Sequence, residues 1–202
     1  MKKIFLFLIS IFATASAFAE PFSFSNFYID GFGGINFVNS FKERGVRVDL
    51  NSGYAVGGAL GYRFSRFFRL EGEAAYRSNT FDQVVVKDMQ FPASGGIKNM
   101  TAMANGLIEI PLLENTLIPY FGGGIGESWS RENFKLEPIA TDEGTYVFDR
   151  SIKSSRGLAG QGIVGLIFST GQKIQAAVEY RYLDGSHIQG NHTIGLNLKR
   201  YF

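Results

Sequence analysis

The sequence predicts an all-β fold, an antiparallel up-and-down barrel of eight strands, on three observations. Segments of about ten residues or more alternate apolar and polar side chains. The connections between them alternate short and long. Glycine is placed inside the segments rather than between them, where it allows the bends and close approaches of a tightly curved sheet.

The N-terminus is set apart from this pattern. Lys2 and Lys3, the apolar run 4–12 and Ala17-Phe18-Ala19 have the form of a secretory signal cleaved before Glu20. Residues 1–19 are therefore expected to be a signal peptide and residues 20–202 one barrel domain. Without Lys2 and Lys3 the 20 basic residues fall to 18, against 18 acidic ones. A balanced chain gives no reason to expect nucleic acid as a partner. There is no cysteine, which excludes a disulfide-stapled mini-domain and a thiolate metal site.

Eight strands are expected near residues 27–38, 53–64, 67–79, 99–110, 117–130, 155–168, 173–183 and 192–202. The second sets Tyr54, Val56, Gly58, Leu60, Tyr62 and Phe64 against Ala55, Gly57, Ala59, Gly61 and Arg63. The third sets Phe68, Leu70, Gly72, Ala74 and Tyr76 against Arg69, Glu71, Glu73, Ala75 and Arg77, because successive strand side chains point to opposite sides. The seventh repeats that division, with Glu179 and Arg181 on its polar side, and the eighth sets Ile194, Leu196, Leu198 and Phe202 against Thr193, Gly195, Asn197 and Lys199. Arg200 interrupts that apolar face, near the strand end where its stem can snorkel. The fifth strand is ambiguous, since Gly122-Gly123-Gly124 carries no facing information.

The links at 65–66, 111–116 and 169–172 are short, whereas those at 39–52, 80–98 and 131–154 are long. Short turns at one end and long loops at the other are the arrangement of membrane barrels. After residue 19 no apolar run is long enough for a spanning helix. A chain that crosses lipid without such a helix must close its sheet, so that every backbone hydrogen bond is made. The fold class is thus an eight-stranded antiparallel up-and-down transmembrane β-barrel, with apolar faces toward lipid and charged faces toward the lumen.

The chain resembles the eight-stranded outer-membrane barrel family, the group of OmpA-like and opacity-type surface proteins. The resemblance is carried by the signal ending Ala17-Phe18-Ala19, Phe27-Tyr28-Ile29-Asp30-Gly31-Phe32-Gly33-Gly34, the run 67–77, Met103-Ala104-Asn105-Gly106, the run 118–126, and Glu179-Tyr180-Arg181-Tyr182. It is completed by the final strand, 195–202. The resemblance implies localisation in the bacterial outer membrane and contact with its lipid. It also implies that Leu196, Leu198, Tyr201 and Phe202 form a C-terminal signal read by the barrel-assembly machinery. OmpA continues into a peptidoglycan-binding domain that has no counterpart here, so cell-wall tethering is not implied.

A narrow lumen must be filled and its charges paired. Asp30, Arg63, Arg69, Glu71, Glu73, Arg77, Glu109, Glu127, Glu179 and Arg181 are expected to form that polar network. Glu71 and Glu73 also have roughly the 6.5–7 Å spacing of an inverting glycosidase pair, the weaker reading. Ser186, His187 and His192 with Asp184 suggest a lipid-modifying Ser-His-acid site, but the spacing lacks the deacylase pattern of His followed two residues later by Ser, and a solvated loop is preferred. The glycine run 122–126 lacks the following helix that a phosphate loop needs. No cofactor, metal or catalytic residue is expected. The favoured function is a monomeric, non-enzymatic surface protein that supports envelope integrity and offers its long outer loops to a host or neighbouring ligand. A narrow porin-like channel is the alternative, and a lipid-modifying enzyme a further one.

Overall fold

Alternation decides the architecture. The computed structural model describes residues 23–39, 41–43, 46–86, 89–112, 116–136, 139–141, 144–146, 151–169, 173–186 and 188–202; the signal segment and His187 lie outside the described residues. After a 3-10 turn at Phe24–Asn26 the chain enters β1 (Phe27–Val38), β2 (Phe41–Glu43), β3 (Val46–Leu50), β4 (Gly53–Arg63), β5 (Phe68–Val86) and β6 (Met89–Glu109). It continues through β7 (Leu117–Leu136), β8 (Ile139–Thr141), β9 (Gly144–Tyr146), β10 (Ser151–Ser169), β11 (Ile174–Gly185) and β12 (Ile188–Tyr201).

Eight of these strands make the barrel. β1 pairs with β4, β4 with β5, β5 with β6, β6 with β7, β7 with β10, β10 with β11, β11 with β12 and β12 with β1, all antiparallel. The sheet is closed, so these strands leave no open edge.

The outside is apolar. Leu60, Ile125, Leu158 and Leu196 are 69%, 76%, 72% and 68% exposed. Large aliphatic side chains left this open around a closed sheet fit hydrocarbon rather than water. Aromatic rings flank them, with Tyr62, Phe64, Phe68, Phe121, Phe168 and Phe202 toward the end holding the termini and short turns, here the lower end. Tyr54, Tyr76, Trp129, Tyr180 and Tyr182 lie toward the upper end. Such girdles mark the two interfaces of a bilayer.

At the upper end the strands run beyond the bounds expected for them. The links 80–98 and 131–154 are largely strand, because β5, β6, β7 and β10 run on past the apolar belt as paired ribbons. Val84, Val85 and Val86 have the branched side chains that favour this. β3 pairs with the outer end of β5, and β2 pairs with β3. Where the ribbon leaves the barrel the β5–β6 register shifts between Thr80 and Gln83, and Gly95 nearby takes φ 116°, a conformation that favours glycine. The short link at 65–66 forms a tight turn at the lower end, with Phe64 N donating to Phe68 O over 3.0 Å, while residues 113–115 and 170–172 of the other two lie outside the described residues.

Candidate functional site

The inward residues of β1, β4, β5, β6, β11 and β12 meet in the lumen, where the described residues include the cations Arg63, Arg69, Arg77, Arg181 and Lys199 and the carboxylates Asp30, Glu71, Glu73, Glu109 and Glu179. Low in the barrel, Glu109 gathers three of the cations. Arg69 Nη1 donates to its Oε1, Arg63 Nη2 lies 3.3 Å from Oε2, and Lys199 Nζ 3.9 Å from Oε1. Arg69 Nε is also 3.1 Å from Glu71, whose Oε1 accepts the Tyr28 hydroxyl at 2.7 Å. Asp30 accepts Asn197 Nδ2 at 2.6 Å.

At mid-barrel Arg181 bridges two carboxylates, Glu73 at 2.5 Å and Glu179 at 2.7 Å. Asn105 donates to Glu73 at 2.9 Å, Gln161 donates to Asn105 at 2.7 Å, and the Tyr120 hydroxyl donates to Glu179. Higher still the network turns neutral. Asn36 Nδ2 donates to Asn79 at 2.6 Å and to Asn191 at 2.9 Å, while Thr193 donates to Asn36 at 2.7 Å.

Rings fill the space the charges leave. Tyr28, Phe32 and Tyr120 are the register partners of Gly61, Gly57 and Gly165, and each ring lies where a Cβ on that glycine would go. Cations cover the same rings, with Arg181 3.8 Å from the Phe32 centroid, Arg69 4.5 Å from Tyr120 and Lys199 4.8 Å from Tyr28. Leu107, Ile118, Ile163, Ile167 and Ala177 pack with Tyr120 on the other side of the lumen. Among the described residues these side chains occupy much of a narrow lumen.

Three residues depart from the expected network. Glu127 is not in the lumen. On β7 the large apolar side chains Phe121, Ile125 and Trp129 face out, and Glu127 shares their parity. It pairs on the outer wall with Arg156 at 2.5 Å, both side chains being well exposed. The glycine run hid this parity: Gly122, Gly124 and Gly126 are the inward set, packed against β6 where a Cβ would meet Leu107, Asn105 or the Ala102 carbonyl. Arg77 is fully buried but joins no ion pair found among the described residues; its Nη1 donates to Thr101 at 3.1 Å. Lys199, absent from the expected set, is a buried member of it. Its place among Thr193, Gly195 and Asn197 on the polar side of β12 was the available signal.

Among the described residues, which leave out His187, the groups named in the enzyme readings are otherwise engaged. Each of Glu71 and Glu73 is held by an arginine. His192 Nδ1 shares a 2.7 Å hydrogen bond with the Tyr180 hydroxyl on the outer wall, Asp184 accepts from Tyr182 and Gly185 N, and Ser186 donates to Leu158 O. Of the C-terminal residues, Leu196, Leu198 and Phe202 face outward and Tyr201 is buried, its ring tilted against Tyr28 with centroids 5.1 Å apart.

A closed antiparallel barrel with a greasy exterior, aromatic girdles and a charge-paired interior is an integral outer-membrane protein. A family model described as "Outer membrane protein beta-barrel domain" matches residues 4–202, and the chain belongs to that family, whose members reside in the bacterial outer membrane. No curated protein matches the sequence significantly. Among solved structures the fold is similar to Neisserial surface protein A, NspA (14% identity, 88% of this chain and 97% of that one, TM-score 0.59). It is also similar to the outer membrane protein OprG of Pseudomonas aeruginosa (17% identity, 87% and 96%, TM-score 0.53).

Proposed function

We propose that this protein is a sealed, non-enzymatic surface barrel that stiffens the envelope and presents its long hairpins to a host or neighbouring molecule. The termini and short turns face the periplasm, and residues 1–19 are the signal that directs export. The final strand, with Leu196, Leu198, Tyr201 and Phe202, serves as the mark for the assembly machinery. The observation that carries the reading is the contrast between the two ends of β5, β6, β7 and β10. Within the belt they help to enclose the lumen, and above it they stay paired with one another as a continuous extension of the sheet. Such ribbons offer rigid strands for recognition. NspA is by name a surface protein, and the same role is assigned here.

Two measurements test this. In planar bilayers the folded protein is expected to give no large, steady conductance; a steady open channel would replace the surface-protein reading with the porin-like one. Cells carrying the chain with residues 137–150 replaced by a tight turn are expected to lose adhesion while the barrel keeps its heat-modifiable gel mobility. Undiminished adhesion in every hairpin replacement would remove the ligand-presenting role. Unchanged lipid A composition in cells with and without the protein is expected, and a change would replace this reading with the lipid-modifying one.

A further inference from the structure

Lys98 on β6 and Arg131 on β7 are direct register partners on the outer wall, and both are exposed. Like charges placed opposite one another on adjacent strands repel. Among the described residues neither joins an ion pair. Their neighbour Glu132 belongs to the other face of β7, and Glu127 is taken by Arg156. The wall therefore keeps two adjacent, uncompensated cations, whereas the lumen balances its charges.

Their height on the wall is informative. Each stands two residues above the apolar belt, Lys98 past Met100 and Arg131 past Trp129. Both line two neighbouring depressions. The lower, of about 470 Å³, is walled by Tyr76, Met100 and Trp129; the upper, of about 450 Å³, is walled by Ser78, Thr80, Gly96 and Asn133. Trp129 and Glu127, the latter neutralised by Arg156, border the top of a third depression of about 800 Å³ that descends the belt over Gly72, Ala74, Ala102 and Ala104. A Cβ on Gly72 would meet nothing within 4 Å. The small residue there serves no internal packing and leaves the groove open.

We infer that this surface seats a membrane lipid bearing a phosphomonoester, with the phosphate between Lys98 and Arg131 and an acyl chain in the groove below Trp129. The order of surfaces, polar above, cationic in the middle and apolar below, is that of an amphiphile at an interface. A phosphomonoester carries about −1.5 to −2 charge at neutral pH, which matches two adjacent cations better than a singly charged diester does. Arginine and lysine both make charge-assisted hydrogen bonds to phosphate. The inference is independent of what the hairpins bind.

The mature protein, folded in a non-ionic detergent, is mixed with bis-phosphorylated lipid A and the retained lipid counted by native mass spectrometry. The same is done with enzymatically dephosphorylated lipid A and with phosphatidylglycerol. Retention of the phosphorylated lipid is expected to fall by roughly tenfold or more in the Lys98→Gln/Arg131→Gln double variant. An Arg66→Gln variant, altered at the lower end, should retain it like the parent. Heat-modifiable mobility reports that each variant is folded. Equal retention by the double variant, or of the dephosphorylated lipid, would overturn the phosphate seat. Equal retention of phosphatidylglycerol would overturn the preference for a monoester, and displacement by an equal concentration of inorganic phosphate would overturn the acyl groove.

Discussion

The inner and outer walls of the barrel are built from the same strands, yet they treat glycine and charge in opposite ways. Inside, Gly57, Gly61 and Gly165 are covered by Phe32, Tyr28 and Tyr120, and nine of the ten lumen charges either join an ion pair or, as Asp30 does with Asn197, accept a strong hydrogen bond. Outside, Gly31, Gly72 and Gly162 face open space, and Lys98 and Arg131 stand opposite each other unpaired. The difference follows from who must satisfy each wall. The chain alone must fill a lumen too narrow for much water, whereas the membrane completes the exterior.

The largest test of that contrast is Glu109→Ala. It removes the one carboxylate shared by Arg63, Arg69 and Lys199: Arg69 keeps Glu71, but the half-buried Arg63 and the fully buried Lys199 lose the ion pairs found for them among the described residues. Unfolding in urea, followed in detergent by loss of heat-modifiable mobility, should show a loss of about 3–5 kcal/mol, the usual cost of breaking a buried pair from one side. A loss under about 1 kcal/mol, typical of exposed pairs, would mean that water reaches the lumen.

Glycine gives the next comparison. In Gly61→Ala the new methyl overlaps the Tyr28 ring, which is pinned by its bond to Glu71 and its tilted contact with Tyr201, so a loss of about 1–3 kcal/mol is expected from overpacking. In Gly72→Ala the methyl enters free space, and the strand should gain roughly 0.5–1 kcal/mol over glycine. Paired urea titrations of the two variants should therefore move in opposite directions. Movement in the same direction would erase the distinction between the walls.

Much of this was legible in the sequence wherever large side chains marked the parity. Phe68, Leu70 and Tyr76 against Arg69, Glu71 and Glu73 place β5 without ambiguity, and β4, β11 and β12 read in the same way. On β7 three glycines in succession erased the phase, and Glu127 was drawn inward by its charge, although Ile125 and Trp129 two positions away on either side carry the outward signal. Partnerships across the lumen were not legible at all. Which carboxylate meets Arg181, and why Arg77 meets none, depends on how the ends of the sheet come round to close, which no local spacing encodes. The outer ribbons were half visible: the valines of β5 show strand preference, but its continued pairing with β6 depends on a register carried up from the barrel.

Glu127 and Arg156 make a 2.5 Å ion pair as close as Glu73 and Arg181, but on a wall where both side chains reach the surroundings. Distance alone would rank the two pairs as equals. Exposure separates them, because an accessible pair gains little over its solvated partners and is screened by salt. Glu127→Gln should change urea stability by less than about 1 kcal/mol, with the remaining difference shrinking as salt is added. A loss approaching that of Glu109→Ala would show that surrounding lipid desolvates the outer pair as fully as the lumen desolvates the inner one, and the division between a self-satisfied interior and an open exterior would then not hold at the height of Trp129.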